Sequence, residues 1–217
     1  MAFSTGDSKE TAAAALVPAP RSRQNGKRRQ EIVDAAAEVF RRKGYSDASI
    51  QDIADEVGIL GGSLYHHIDA KEDLLYEVLA SVYELAQRDI DRVRALEGLG
   101  PVEKLRLYIR EHVVFNATHT TKIATYYHDF ELLGPERKPL IAEQRRRFES
   151  FITELILAAQ DAGQIDRGID AKMSTYLILG AMNWIYTWYR VDGKFSPEEL
   201  GDLAVMMLVD GMLERSA

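Results

Sequence analysis

From about Arg23 onward, apolar positions recur at helical spacing almost to the end of the chain. Ile32, Ala36, Val39 and Phe40 fall at i, i+4, i+7 and i+8 and mark one face of a first helix. Lys27, Arg28 and Arg29 lie in its early turns, and Gly44 is its stop. Ser49 and Asp52 have the spacing of a capping box, and Ile50, Ile53, Ala54 and Val57 give a short second helix its buried face. Gly58 stands where a left-handed C-cap belongs. Gly62 to His67 reads as a third, very short helix. Asp69 and Glu72 repeat the box spacing and open a long fourth helix through Leu75, Val78, Leu79, Val82, Leu85 and Ala86.

Beyond the turn Gly98-Leu99-Gly100-Pro101, five more helices are predicted, over 102–116, 119–133, 138–162, 171–190 and 197–214. The last has the best-specified start: Ser196 as N-cap, Pro197 at N1 and Glu199 at N3. The sequence shows neither a convincing period-2 strand nor an internal repeat. The expectation is therefore an all-α, nine-helix chain with a small N-terminal unit and a larger C-terminal bundle. Residues 1–22, with Ala12–Ala15, Pro18 and Pro20, read as a disordered tail without the basic start or apolar stretch of a signal peptide.

Composition narrows the chemistry. The chain has 217 residues and no cysteine, which removes disulfides, thiolate metal sites and thiol catalysis, and fits a cytoplasmic setting. No run approaches the roughly 18 consecutive apolar residues of a membrane span. A net charge of −7 argues at first against a nucleic-acid partner. The charge is sorted along the chain, however: residues 21–45 carry eight Lys/Arg against three acids, while the acidic excess lies further on.

Residues 49–67 carry the clearest motif. Two short helices around Gly58, the second led by Gly61, Gly62 and Ser63, suit a helix-turn-helix whose leading end must approach base edges without bulky side chains. The run Ser49-x-x-Asp52-Ile53-Ala54-x-x-x-Gly58-Ile59, then Gly62-Ser63-Leu64-Tyr65-His66-His67-Ile68-x-x-Lys71-Glu72-x-Leu74, resembles the DNA-binding domain of the tetracycline-repressor (TetR) family. The match runs without gaps over about 25–74. The resemblance implies a helix-turn-helix domain over 23–70, a ligand-binding and dimerisation domain over 71–217, and a homodimer on a palindromic DNA operator.

By the same resemblance, Ser49 caps helix 2 and touches phosphate, and Tyr65 and His66 contact the backbone. Lys71 grips it beside the groove, and Lys27 and Arg28 reach its flank. Gly62 and Ser63 lie nearest the bases, with Gly61 beside them as a further DNA-binding candidate, while Leu64 and Ile68 anchor the recognition helix. The chain departs from the family where Leu60 and Gly61 replace the usual Ser/Thr cap and following Lys, a change worth about 0.5–2 kcal/mol of local stability. Taken singly, Tyr65 is equally a half-buried core aromatic and Lys71 a solvated lysine. His66 and His67 point about 100° apart on a helix, which argues against a shared metal.

The C-terminal region is rich in aromatic and polar side chains. Tyr108, His112, Phe115, Asn116, His119, Tyr126, Tyr127, Phe130, Trp184, Trp188 and Arg190 are candidates for an effector pocket. Packed core or a dimer interface explains the same pattern. Trp184, Leu200, Leu203, Met207 and Leu208 are the interface candidates. Gly58-Ile59-Leu60 with Trp188-Tyr189-Arg190-x-x-Gly193 resembles the TetR regulators of fatty-acid or steroid degradation that respond to acyl-CoA thioesters. For such an effector Arg145, Arg146, Arg147 and Arg190 are candidate phosphate partners; a different hydrophobic or aromatic ligand, drug-like or a free acid, is the alternative. A metal-assisted hydrolase is the competing enzyme class, but His128-Asp129 and Glu111-His112 lack a recognised ligand spacing, and no G-x-S-x-G occurs. A purely structural dimerisation bundle leaves the Gly-Ser-Leu-Tyr helix unexplained. No cofactor and no membrane partner are expected.

Overall fold

Residues 23–213 are described by a computed structural model; the tail expected over 1–22 lies outside the described residues. The helices run α1 (Arg23–Lys43), α2 (Ile50–Val57), α3 (Gly61–Leu64), α4 (Lys71–Ala95) and α5 (Pro101–Thr118). They continue as α6 (Thr120–His128), α7 (Lys138–Asp161), α8 (Ala171–Asn183), α9 (Ile185–Trp188) and α10 (Pro197–Leu208). Single 3-10 turns follow at 130–132 and 210–212, and the isolated bridge Ile165–Leu213 is the β feature among the described residues. No described helix is long and apolar enough to cross a membrane.

Two predicted helices end or break earlier than their apolar pattern suggests. The helix expected over 119–133 stops at His128, and Phe130 to Leu132 tighten into a 3-10 turn. The helix expected over 171–190 breaks at Trp184. There the amide of Asn116, buried on α5, donates to the carbonyl of Met182 at 2.9 Å. That carbonyl would otherwise accept from the N–H of Tyr186, so a side chain from another helix interrupts the ladder.

The caps explain the reading-head geometry. Ser49 Oγ accepts from the N–H of Asp52 at 3.1 Å while the Asp52 carboxylate accepts from the N–H of Ser49 at 2.9 Å, a complete box. Gly58 follows at φ 72°, which turns the chain sharply into α3. The cap of α4 differs from the expected Asp69–Glu72 pair. Ala70 is its N-cap, and the carboxylate of Asp73 accepts from the N–H groups of Asp69 at 2.8 Å and Ala70 at 2.7 Å. Glu72 turns away to accept from the N–H of Gly134 at 3.0 Å.

One buried cluster joins Ile32 and Phe40 of α1, Ile53, Leu64 and Leu75 to Ile123 and Tyr126 of α6. The second joins Ile90 of α4, Tyr108 and Ile109 of α5, Phe151 and Ile156 of α7, Ile178 and Leu200. In this second cluster α10 rides unusually close on α5: a Cβ at Gly201 would lie 2.9 Å from the carbonyl oxygen of Arg110. Arg110–Asp202 at 2.6 Å and Arg106–Asp210 at 2.7 Å clasp the same pair of segments. Replacing Gly58 by alanine forces a side chain into the left-handed region, and urea denaturation should show a loss of about 1–2 kcal/mol.

Candidate DNA-reading head and effector chamber

Leu64 and Ile68 are buried against α1 and α4, so the opposite face of the recognition segment is turned outward. Gly62, Tyr65 and His66 are exposed there, Tyr65 at 58%. Gly61 packs closely on Gln51 of α2, where an added Cβ would run into the Gln51 side-chain amide. Leu60 is the N-cap of α3, 80% exposed, and supplies no capping hydrogen bond, as its side chain dictates. Lys27 is exposed near the start of α1, and Arg28 is ion-paired to Glu31 at 2.7 Å. Among these residues Gly62, Tyr65, His66 and Lys27 are the exposed small or hydrogen-bonding groups.

Lys71 departs from its expected part. Its ammonium donates to the carbonyls of Tyr45 at 2.7 Å, Ser46 at 3.2 Å and Ala48 at 2.8 Å, and stands 4.4 Å from the Tyr45 ring centroid. An ammonium has three donors, and all are taken. In the free protein Lys71 fastens the α1–α2 turn to α4 and is not held out toward a phosphate. Ser49 is similarly committed, its hydroxyl donating to Asp52 at 2.8 Å as well as capping α2. Arg29, which periodicity alone leaves as a surface cation, donates to the carbonyl of His67 at 2.6 Å and pairs with Glu77. It thereby ties α1 to the end of the recognition segment and to α4.

In the bundle, a chamber of about 220 Å³ opens between α4, α5, α6, α7 and α8. Five expected residues line it: His112, Phe115, Asn116, Tyr126 and Tyr127. Val82, Ala86, Ile123, Phe148 and Leu179 supply apolar wall, and Arg145, Glu149 and Asn183 supply polar groups. The apolar pattern marks Val82 only as core and leaves Phe148 and Asn183 indistinct, because lining residues on separate helices share no local spacing.

Six other expected pocket residues stand elsewhere. Tyr108 lies behind the wall, its ring edge-on to Phe151 at 5.0 Å and its hydroxyl buried without a partner. His119 stacks on Phe115 at 4.4 Å and bonds its carbonyl at 3.0 Å, closing the end of α5. Phe130 is buried beneath the guanidinium of Arg145, 3.9 Å from its centroid. Trp184 and Trp188 are 62% and 53% exposed on the outside of the bundle. Arg190 is exposed and pairs with Asp192 at 3.2 Å. Trp184 continues the exposed face of α8, and Trp188 and Arg190 lie beyond the break, where Ile185 and Tyr186 are the residues that pack inward.

Beside the chamber, a groove of about 460 Å³ runs between α4 and α7; Gln87, Arg94, Arg146 and Arg147 line it together with Glu143 and Glu154, which pair with Arg146 at 2.5 Å and Arg94 at 2.9 Å. Tyr83 bridges the two spaces: its ring lines the chamber, while its hydroxyl donates to Gln87 at 2.8 Å and accepts from Arg147 at 3.2 Å.

A helix-turn-helix joined by one continuous helix to a bundle with an aromatic chamber defines a DNA-binding regulator rather than an enzyme. The comparisons agree. Residues 32–78 match the model for bacterial regulatory proteins of the tetR family, and residues 98–212 match the tetracyclin repressor-like C-terminal domain. The chain belongs to the TetR family. It is 27% identical over 209 residues to the HTH-type transcriptional repressor KstR2 of Rhodococcus jostii (strain RHA1), covering 91% of this chain and 98% of that one. The HTH-type transcriptional regulator SrpR of Pseudomonas putida is 47% identical over 184 residues, 83% of this chain and 81% of its own. A crystal structure of AibR with isovaleryl coenzyme A and operator DNA superposes with a TM-score of 0.76 at 28% identity, over 84% of this chain and 98% of AibR.

Burial, only partly offset by a hydrogen bond to Asn183, depresses His112 from its ordinary 6.5 to about 4. The unfolded chain therefore takes up this proton first, and the stability contributed by neutral His112 is complete above pH 6.5 and declines toward pH 4. Denaturation at pH 7.5 and pH 5 should differ by about 2 kcal/mol through this residue, and His112→Gln should remove that part of the difference.

Proposed function

We propose that the chain is a homodimeric transcriptional repressor of the cytoplasm, released from a palindromic operator by a small-molecule effector. Residues 23–70 form the reading head, and residues 71–217 bind effector and dimerise. One observation carries this reading: α4 seats the recognition segment at its start and, about three turns on, walls the chamber through Val82, Tyr83 and Ala86. A ligand that displaces those side chains acts on the helix that sets the head. Tenfold release needs only about 1.4 kcal/mol of differential binding.

Dimerisation is supported by a second apolar face on α8. Met173, Tyr176, Leu177, Gly180, Ala181 and Trp184 recur at i, i+3, i+4, i+7, i+8 and i+11, and all are exposed, Leu177 at 74%. Met206 and Met207 of α10 are exposed too. The interface thus keeps Trp184 and Met207 of the expected set. Leu200 is buried against α5 within its own chain, and Leu203 and Leu208 are partly buried. Pairing two such faces would place two recognition helices about 34–36 Å apart, one DNA turn.

An acyl-CoA thioester is the effector we favour. The chamber suits an acyl group, and the adjoining groove carries three arginines, of which Arg94 and Arg146 are paired to Glu154 and Glu143 while Arg147, 3.9 Å from Glu143, is the most loosely held cation for a phosphate. AibR, similar over most of its length, binds isovaleryl coenzyme A. The small chamber volume also admits a free hydrophobic acid as a second reading.

Tyr65→Ala should weaken binding to a promoter fragment about fivefold to tenfold in fluorescence anisotropy. Lys27→Ala should reduce the salt slope of binding by about one. Leu177→Glu should sediment as a monomer at micromolar concentration and lose cooperative operator binding; a monomeric wild type would refute the two-half-site arrangement. A thermal-shift panel of acyl-CoAs, free acids and unrelated drugs should single out CoA esters, and the same esters should release bound operator.

A further inference from the structure

Among the described residues, Arg145 is a cation on the chamber wall with no carboxylate partner. Its neighbours differ: Arg146 pairs with Glu143 at 2.5 Å, and Arg147 approaches the same carboxylate at 3.9 Å. Arg145 instead reaches the hydroxyl of Tyr126 at 3.2 Å and its carbonyl at 3.4 Å. Its guanidinium lies over Phe130 at 3.9 Å and Tyr126 at 4.8 Å. Aromatic faces stabilise a cation without neutralising it.

The other titratable groups on the wall leave that charge unanswered. Glu149 is the chamber's carboxylate, and it is ion-paired to Lys172. His112 is neutral at pH 7. Apart from the neutral amides of Asn116 and Asn183, the rest of the wall is hydrocarbon and aromatic, including Val82, Ala86, Phe115 and Ile123. A partly buried guanidinium at the edge of such a space, held on Tyr126 and Phe130, can receive an oxyanion through a planar fork that matches a carboxylate.

We propose that Arg145 is the anion receptor of the effector chamber, and that the effector carries a carboxylate on a compact hydrocarbon body. This rests on the chamber being the effector site and adds what the effector must display there. The carboxylate belongs either to a free acid or to the far end of a dicarboxylic acyl thioester. The chamber volume of about 220 Å³ restricts what enters to the acyl portion in the second case.

Two matched pairs of probes test this by calorimetry on the full chain: octanoate against octanamide, and octanedioyl-CoA against octanoyl-CoA. In at least one pair the carboxylate member should bind tenfold or more tightly in the wild type. That preference should disappear in Arg145→Gln and persist in part in Arg145→Lys. Preference in the first pair identifies a free acid, and in the second a dicarboxylic acyl group. Circular dichroism and thermal unfolding confirm that the variants fold, and the wild-type comparison needs no variant. Equal affinities within both pairs, no binding by either carboxylate probe, or a preference that survives Arg145→Gln would overturn the assignment. Operator release by octanoyl-CoA that is indifferent to Arg145 would leave the repressor reading standing while this one falls.

Discussion

The continuity of α4 is the constraint on which the rest of the molecule depends. Its 25 residues, about 37 Å of helix, present Leu74, Leu75, Val78, Leu79, Val82, Ala86, Ile90 and Val93 as one buried face. The first part of that face completes the core beneath the recognition segment, and the last part completes the core of the bundle. Each buried apolar side chain contributes about 1.5–3 kcal/mol relative to exposure, so neither end can lift away without exposing its own cluster. In the proposed response, a displacement of α4 at the chamber would be carried along a rod held at both ends.

Polar ties then fix how the rod is seated. The Asp73 carboxylate caps α4 and also pairs with Arg137, which lies just before α7. Glu72 holds the backbone of Gly134. Arg29 links α1 to the end of the recognition segment and to Glu77, and Lys122 of α6 pairs with Asp34 of α1 at 2.6 Å. Surface pairs contribute little stability individually. Here they join segments far apart in sequence at the junction of head and bundle, so their importance lies in fixing relative position.

The charge distribution follows the same division. Within the basic stretch 21–45, α1 (Arg23–Lys43) carries most of the cations, and several of them are already engaged: Arg28 with Glu31, Arg41 with Glu38 and Arg42 with Glu56. With Lys71 turned inward onto three carbonyls, the reading head offers a few placed contacts and little free positive field. Such a surface favours, in the proposed complex, fit to groove and backbone over counterion release by a polycation.

Local chemistry accounts for what was legible in the sequence. The Ser49–Asp52 and Ser196–Glu199 boxes, the left-handed Gly58 and the period of the apolar residues determine helices within a few residues of one another, and they formed as their spacing requires. The recognition motif was readable for the same reason, because its anchors Leu64 and Ile68 and its exposed Tyr65 are set by one short stretch. Tertiary structure decided whatever needed a partner from elsewhere. Asn116 broke the helix at Trp184 by taking the Met182 carbonyl, Gly134 drew Glu72 away from the expected cap, and the α1–α2 turn captured Lys71. The chamber's membership was likewise assembled from five helices. A one-dimensional pattern records which face of each helix is apolar, while which face meets which, and so which cation is left unanswered, is set only when the helices pack.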